Sequence, residues 1–249
     1  MSASLERGGA RWSYAAAAGR SPVRRFEGRR ALVTGAAQGI GRAVADALAR
    51  EGADVVRVDV QGDAERCDVT DEAQVEALFR RVGRLDLAVN AAGVEGAIAK
   101  LPEAPVDDFD RVLDVNLRGV FLCLRGELAA GARSIVNVSS VAGLTGWRGA
   151  AAYSASKHGV VGLTRTAALE VARTGARVNA VCPGVTRTAM YERMLARNPA
   201  LAERTVAANP ARRVAEVEEV AAPVLWLLSD EASFVNGVAL PVDGGLTAQ

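Results

Sequence analysis

Short apolar runs alternate along this chain with longer segments in which apolar residues recur at helical spacing. The runs at 30–34, 85–90 and 134–139 are apolar at consecutive positions, so helices must cover both faces of each strand. Strands that alternate with helices and are covered on both faces build a doubly wound parallel sheet. The sequence therefore predicts an α/β fold.

The periodicity predicts six strands and five principal helices. The strands lie at 30–34, 54–60, 85–90, 134–139, 177–182 and 238–242, and the helices at 40–50, 72–82, 109–128, 153–173 and 217–229. Only eight residues separate Asp59 from Asp68, whereas a parallel crossover usually needs a dozen or more. We therefore expect a loop in place of the helix that would follow the second strand.

A single domain accounts for most of the 249 residues. Residues 1–25 are rich in Ala, Gly, Ser and Arg, a composition that faintly resembles a transit peptide. No apolar signal core follows them, which favours a disordered tail. We therefore predict a tail over residues 1–25 and one catalytic domain over residues 26–249.

The composition excludes several classes of function. Thirty basic and 29 acidic residues leave a net charge of +1, which argues against a nucleic-acid-binding protein. No apolar stretch is long enough to cross a membrane. A single histidine, His158, argues against a Ser-His-Asp triad and against a multi-histidine metal site, and we expect no metal. Three scattered cysteines are typical of a reducing compartment, so we expect a cytoplasmic protein.

A glycine-rich turn joins the first strand to the first helix. It runs from Thr34 to Gly41 and places glycines at 35, 39 and 41. Glycine lets a backbone turn tightly and approach a ligand closely, and the free N–H groups at a helix N-terminus attract anions. In this strand–turn–helix context, Gly35, Gln38, Gly39, Ile40 and Gly41 are predicted to hold the pyrophosphate of a dinucleotide.

Asp59 ends the second strand, 18 residues after Gly41. A carboxylate at this place accepts hydrogen bonds from both hydroxyls of an adenosine ribose and repels a 2′-phosphate. Gln38 is neutral where an arginine would attract that phosphate. Both features favour NAD over NADP, although the nearby Arg57 weakens the electrostatic argument.

Tyr153 and Lys157 stand four residues apart on one face of a predicted helix. A nearby ammonium stabilises a phenolate, so such a pair can exchange a proton with an alcohol or a carbonyl oxygen. Ser140 follows a strand thirteen residues earlier, at the sheet edge where ligands bind in this architecture. Its hydroxyl is placed to hold the oxygen of a substrate.

Together these residues resemble the short-chain dehydrogenase/reductase family, in its compact single-domain branch with a Rossmann fold. The resemblance covers residues 26–247. Its motifs are the turn at 34–41, Asp68-Val69, the Asn90-Ala91-Ala92-Gly93 segment, Asn116, Ser140, Tyr153 with Lys157, the Pro183–Thr188 segment and the Pro241–Gly245 segment.

The resemblance implies a role for each matching residue. Tyr153 is the acid/base, Lys157 lowers its pKa and binds the nicotinamide ribose, and Ser140 orients the substrate oxygen. Asn116 is expected to hold a water in a proton relay. The implied cofactor-binding residues are the glycine turn and Asp59, together with Asp68, Val69, Asn90, Ala91, Gly93, Tyr153, Lys157, Pro183, Gly184, Thr186 and Thr188.

The sequence thus predicts an NAD-dependent oxidoreductase acting on a secondary alcohol or ketone, with cyclic and hydroaromatic substrates among the candidates. A ketoreductase for acyl-carrier substrates and a non-catalytic dinucleotide sensor are the alternatives. A small-molecule substrate is the expected partner, with specificity from residues 94–96, 141–149 and 188–213. Met190, Tyr191, Met194 and Leu195 form either an apolar lid or ordinary core packing. Family resemblance also implies a homotetramer, or otherwise a homodimer, through the two long helices.

Overall fold

A seven-stranded parallel sheet runs through the computed structural model, which describes residues 24–248. Its strand order is β3-β2-β1-β4-β5-β6-β7. The strands are β1 (Arg30–Thr34), β2 (Asp54–Asp59), β3 (Glu65–Arg66), β4 (Leu87–Asn90), β5 (Ser134–Val138), β6 (Arg177–Pro183) and β7 (Ala239–Val242). The predicted doubly wound sheet is confirmed. The predicted tail falls, apart from residues 24 and 25, outside the described residues.

Helices cover both faces of the sheet. They are α1 (Gly39–Arg50), α2 (Glu72–Val82), α3 (Val106–Leu113), α4 (Gly119–Ala129), α5 (Ala151–Val171), α6 (Ala189–Arg197), α7 (Pro199–Ala208) and α8 (Val217–Leu228). Within residues 24–248, no helix combines the length and the apolar character that a membrane span requires.

Two hydrophobic cores lie on opposite faces of the sheet, because successive strand residues point to opposite sides. Leu32 packs in the core beneath α2, α4 and α5, while its neighbour Val33 packs in the core beneath α1 and α8. Both are fully buried. This explains the continuous apolar runs in the sequence: each strand has to satisfy two cores at once.

The connection after β2 contains no helix, as its length predicted. Residues 60–64 form a loop, and Glu65–Arg66 then pair in parallel with the end of β2. The sequence analysis missed this third strand because two residues are too few to show a period. The sheet consequently has seven strands, one more than the periodicity indicated.

The predicted helix at 109–128 begins at Val106 and ends at Ala129, but its hydrogen-bond pattern changes in the middle. Residues Asp114–Arg118 adopt a π-helical turn between α3 and α4. An insertion of this kind shifts the helix face without ending the helix, so the hydrophobic period does not reveal it. The turn contains Asn116, one of the predicted catalytic residues.

The segment after β6 forms two short helices, α6 and α7. No residue of α6 is fully buried, and Met190, Tyr191, Met194 and Leu195 are all partly exposed. The alternative that these side chains belong to the core is therefore wrong. The helical spacing itself was predicted correctly.

Close packing of α2 on α4 depends on Gly126, because a Cβ at that position would overlap the ring of Phe79. We expect Gly126→Ala to lower the free energy of unfolding by about 1–3 kcal/mol, the usual cost of overpacking. Urea denaturation measures this change. Adding Phe79→Leu should recover part of the loss, and a Gly126→Ala variant as stable as the parent would contradict the packing described.

Candidate active site

The site lies where the strand order reverses, between β1 and β4, the place where doubly wound sheets bind ligands. Here the two strand ends are joined by the side chain of Thr34. Its hydroxyl oxygen accepts hydrogen bonds from the backbone N–H groups of Ala91 and Ala92, at 3.2 and 3.3 Å. The turn after β1 and the segment after β4 are therefore one rigid unit.

Glycine is required at two positions of the turn for steric reasons. Gly35 has a φ of 66°, and a Cβ there would lie 2.7 Å from the carbonyl carbon of Ala91. A Cβ on Gly41 would overlap the carbonyl oxygen of Gly35. Gln38, which precedes α1, makes no side-chain cap, so its side chain does not occupy the N–H groups at the helix N-terminus. This cradle fits a pyrophosphate, since its N–H groups favour an anion.

Asp59 stands directly beside this turn. One carboxylate oxygen accepts a hydrogen bond from the N–H of Ala37 at 3.0 Å, and the other accepts from the N–H of Gln61 at 3.1 Å. The guanidinium of Arg57 pairs with Asp46 on α1, at 2.7 Å. Arg57 thus has a carboxylate partner on α1.

Asp68 and Val69 occupy the loop between β3 and α2. Asp68 accepts hydrogen bonds from the N–H and the hydroxyl of Thr70, at 2.9 and 2.8 Å. The buried Val69 side chain packs against Gly119 and borders a small internal void shared with Asn90. The structure therefore brings Val69 next to the Asn90–Gly93 segment.

The Pro183–Thr188 segment follows β6 and reaches the glycine turn. Gly184 lies against Asp243, where a Cβ would approach the Asp243 Cα to 3.0 Å. Thr186 is buried, and Thr188 begins α6 by accepting a hydrogen bond from the N–H of Tyr191. A Cβ on Gly39 would lie 3.3 Å from the Thr188 methyl group. Two segments far apart in sequence thus border one cleft.

Tyr153 and Lys157 lie near the N-terminus of α5, beside the end of β5. The Lys157 ammonium donates a hydrogen bond to the carbonyl of Val138 at 2.9 Å and lies 5.7 Å from the centroid of the Tyr153 ring. The hydroxyl of Ser139 holds the backbone carbonyl of Lys157 at 2.9 Å. The helix that carries both predicted residues is therefore fixed to the strand that leads to Ser140.

Burial dominates the ionisation of this pair. It raises the pKa of Tyr153, which hydrogen bonding to Ser140 lowers and the charge of Glu95 raises further. Burial also lowers the pKa of Lys157 to about 8, against a small opposing effect of Cys182. Lys157 is accordingly still mainly a cation at neutral pH.

Asn116 connects the π-helical turn to the segment after β4. Its side chain accepts a hydrogen bond from the N–H of Val94 at 2.8 Å and donates to the Val94 carbonyl at 2.9 Å. It also donates to the Ser156 hydroxyl on α5. Asn116 Oδ1 and Lys157 Nζ both lie near Gly93, at 3.2 and 3.6 Å from the place a Cβ would take.

Sequence reasoning missed a buried polar chain beneath this site. The amide of Asn90 donates to the carboxyl of Glu127 at 3.0 Å and to Asn137 at 2.9 Å. Asn137 in turn donates to Thr164 on α5 at 2.9 Å. Cys123 and Glu127 lie one turn apart on the buried side of α4. The position of Glu127 on this face was the sequence signal for a buried carboxyl group.

Glu127 is fully buried, and burial raises its pKa to about 8 against the hydrogen bond from Asn90. One oxygen of Glu127 and the amide oxygen of Asn90 have no hydrogen-bond partner. Ionisation would leave a charge on a buried carboxyl whose one described donor is the Asn90 amide, which favours the protonated form. At neutral pH the carboxyl is therefore mainly neutral.

Two of the three stretches expected to determine specificity meet directly. Glu95, in the segment after β4, forms an ion pair with Arg193 on α6.

Among the described residues, no group of three or more His, Cys, Asp or Glu is placed to hold a metal ion.

A glycine turn at the switch point of a parallel sheet defines the class of dinucleotide-binding α/β proteins. Comparison with known proteins narrows the class. Residues 35–247 match a family model described as enoyl-(acyl carrier protein) reductase. Together with the relatives described next, this match shows that the chain belongs to the short-chain dehydrogenase/reductase family, whose members use a nicotinamide cofactor.

Several relatives align along almost their whole length. Levodione reductase of Leifsonia aquatica is 42% identical, over 92% of this chain and 97% of the relative. Cis-4-hydroxycyclohexanecarboxylate dehydrogenase of Sinomonas cyclohexanicum is 45% identical, over 90% and 98%. The crystal structure of levodione reductase has a TM-score of 0.85 at 41% identity and covers 90% of this chain and 99% of that structure. The chain is accordingly an oxidoreductase that acts on CH–OH groups.

The raised pKa of Glu127 makes stability depend on pH. An unfolded glutamate loses its proton near its ordinary pKa of 4.5, whereas the folded protein keeps it up to about 8. The contribution of Glu127 is thus complete below about pH 4.5 and is lost as the pH rises to about 8. Each pH unit in this window costs about 1.4 kcal/mol.

We therefore expect Glu127→Gln to flatten the decline in stability between about pH 5 and pH 9 and to make the protein the more stable of the two at the alkaline end. Urea unfolding at several pH values tests this. Glu170→Gln, at an exposed position of α5, is the matched control and should keep the parental slope. Parallel slopes for Glu127→Gln and the parent would show that Glu127 is ionised in the folded state.

Proposed function

We propose that this protein is an NAD-dependent dehydrogenase that interconverts a cyclic secondary alcohol and its ketone. The observation that carries the proposal is the position of Tyr153 and Lys157 at the end of β5, with Lys157 bound to Val138 and close to Gly93. The relatives support a ring substrate. Besides cis-4-hydroxycyclohexanecarboxylate dehydrogenase, they include a cyclohexanol dehydrogenase of Acinetobacter sp. (strain SE19), which is 38% identical over 90% of this chain and 97% of the relative.

The proposed chemistry separates a proton from a hydride. A nicotinamide cofactor held by the glycine turn and the Asn90–Gly93 segment would supply the hydride chemistry at the alcohol or carbonyl carbon. Tyr153 removes the proton of the alcohol oxygen, or donates it in the reverse direction. Ser140 donates a hydrogen bond to the same oxygen and stabilises the negative charge that develops on it.

Lys157 assists Tyr153 electrostatically. Because burial raises the pKa of Tyr153, its phenolate needs a neighbouring positive charge in order to form near neutral pH. The Lys157 ammonium lies 5.7 Å from the ring centroid and supplies that charge. Asn116 hydrogen-bonds to the Val94 backbone, and both Asn116 and Lys157 lie close to Gly93. In this proposal Asn116 holds a water molecule that links Lys157 to solvent.

The proposed cofactor-binding residues are those that the glycine turn, Asp59 and the family resemblance indicate. Gly35, Gln38, Gly39, Ile40 and Gly41 hold the pyrophosphate at the start of α1. Asp59 binds the adenosine ribose and favours NAD over NADP, because a carboxylate repels a 2′-phosphate. The remaining contacts come from Asp68, Val69, Asn90, Ala91, Gly93, Tyr153, Lys157, Pro183, Gly184, Thr186 and Thr188.

The protein acts as a homotetramer, or otherwise as a homodimer, in this proposal. Support comes from apolar side chains exposed on the long helices. Phe121 on α4 and Leu169 on α5 are 45% and 81% exposed. Side chains of this size at such exposure favour a contact between copies of the chain.

Replacement of the proposed acid/base tests the reaction. We expect Tyr153→Phe to lower kcat/KM for oxidation of cyclohexanol by about 10²–10⁴-fold, the usual contribution of general acid–base catalysis. The appearance of NADH is followed by its absorbance. Binding of NADH, measured by fluorescence, should weaken far less than kcat/KM falls, because Tyr153 is only one of the many proposed cofactor contacts. An unchanged kcat/KM would remove Tyr153 from the proposed role.

Neutralising Asp59 tests the cofactor preference. We expect Asp59→Asn to raise the ratio of NADP to NAD activity by about 10-fold or more, since hydrogen bonds to a charged group contribute about 1.5–3 kcal/mol. Asp63→Asn, in the same connection but at an exposed position, is the control. Equal ratios in the parent and in Asp59→Asn would show that another group selects the cofactor.

A further inference from the structure

We propose that Glu95 is a specificity-determining residue that accepts a hydrogen bond from a second hydroxyl on the substrate. The enzyme then prefers neutral, hydroxylated ring alcohols to ring alcohols with a single hydroxyl. This inference rests on the proposed function and deepens it, because it assigns a chemical feature to the substrate beyond the reacting carbon.

The backbone around Glu95 is fixed on both sides. Asn116 holds Val94 through two hydrogen bonds, at 2.8 and 2.9 Å. On the other side, Asp108 accepts a hydrogen bond from the N–H of Ala97 at 2.6 Å. Gly96 between them has a φ of 75° and packs against Val112. Glu95 is therefore attached directly to the segment that the proposed catalytic residue Asn116 positions.

The side chain of Glu95 is fixed as well. Arg193 donates to both carboxylate oxygens, at 3.2 and 3.1 Å, and Arg197 lies 3.7 Å away. The side chain of Glu95 is only 26% exposed. Burial opposes its ionisation, yet the hydrogen bonds and charge of Arg193 lower the pKa of Glu95. The result is an ionised carboxylate in one defined orientation, without the entropy cost of ordering it when a ligand binds.

Glu95 also acts on the reacting group. Its charge raises the pKa of Tyr153, so the carboxylate and the phenol lie within electrostatic range of each other. Glu95 lies two residues after Gly93, where a Cβ would come within 3.6 Å of Lys157 Nζ. Glu95 and Arg193 also lie on two of the three stretches that the sequence predicts to determine specificity. A substrate that places one oxygen at Tyr153 therefore extends toward a preformed anion.

The chemistry of that anion defines the ligand. A carboxylate accepts hydrogen bonds at about four lone-pair sites, of which Arg193 uses two. A hydroxyl can donate to the remaining sites, a carbonyl cannot, and a second carboxylate is repelled. The favoured substrates are thus diols and hydroxy ketones on a ring, without negative charge.

A purely structural role is the alternative: the ion pair would only hold α6 over the cleft. Two substitutions separate the roles. Glu95→Gln keeps the size of the side chain and removes its charge, whereas Arg193→Met breaks the ion pair and leaves the carboxylate. Glu51→Gln and Arg25→Met are the matched controls, since Arg25 and Glu51 form a similar two-pronged ion pair at the C-terminal end of α1.

The experiment compares kcat/KM for cyclohexanol and for 1,4-cyclohexanediol in these variants. We expect the parent to prefer the diol, and Glu95→Gln to reduce the diol-to-cyclohexanol ratio by about 10-fold, because it loses a hydrogen bond to a charged acceptor. Arg193→Met should keep the preference for the diol. The acid limb of the pH profile should move to lower pH in Glu95→Gln, because its charge no longer raises the pKa of Tyr153.

Equal losses for both substrates in Glu95→Gln, together with an unchanged pH profile, would show that the ion pair is only structural. Preference for an anionic ring alcohol would also overturn the inference. If the parent oxidises neither alcohol, the proposed function fails on its own. Quenching of bound NADH fluorescence by the diol then still tests Glu95, and binding that Glu95→Gln does not weaken overturns its assignment.

Discussion

The close approach of the β1 turn to the end of β4 is the constraint on which the site depends. Gly35 touches the backbone of Ala91, and Gly41 touches Gly35, so neither position accepts a side chain. Thr34 fastens the same two segments through its hydroxyl. This contact fixes the backbone of the glycine turn at the start of α1, and it also brings Gly93 close to Lys157. The cofactor-binding and catalytic halves of the cleft share a single backbone junction.

Buried polar contacts connect that junction to the helices. Asn90 joins β4 to α4 through Glu127 and to β5 through Asn137, and Asn137 continues to Thr164 on α5. Such contacts are strong inside a protein and costly when incomplete, so they fix the relative positions of the elements that they join. Tyr153 and Lys157 lie on the same helix as Thr164. Their placement therefore depends on polar groups far beneath the cleft as well as on local contacts.

The fold was largely predictable because its strands carry continuous apolar runs and its helices carry a clear period. The positions of Ser140, Tyr153 and Lys157 followed from motif spacing. Three features did not follow: the two-residue strand at Glu65–Arg66, the π-helical turn around Asn116, and the pairing of Glu95 with Arg193. The two-residue strand is shorter than any period. The π-helical turn does not end the helix, so the helix remains visible in the sequence while the turn does not. The ion pair joins residues 98 positions apart. Tertiary contacts alone decide such features.

Direct hydride transfer is the central claim of this account, and isotope transfer tests it most directly. Cyclohexanol deuterated at its carbinol carbon is incubated with NAD and the protein, and the reduced cofactor is analysed by mass spectrometry. The account predicts one deuterium in each molecule of NADH formed, since the hydride passes from carbon to nicotinamide without exchange with water. Reduced cofactor without deuterium, or ketone formed without reduced cofactor, would contradict it.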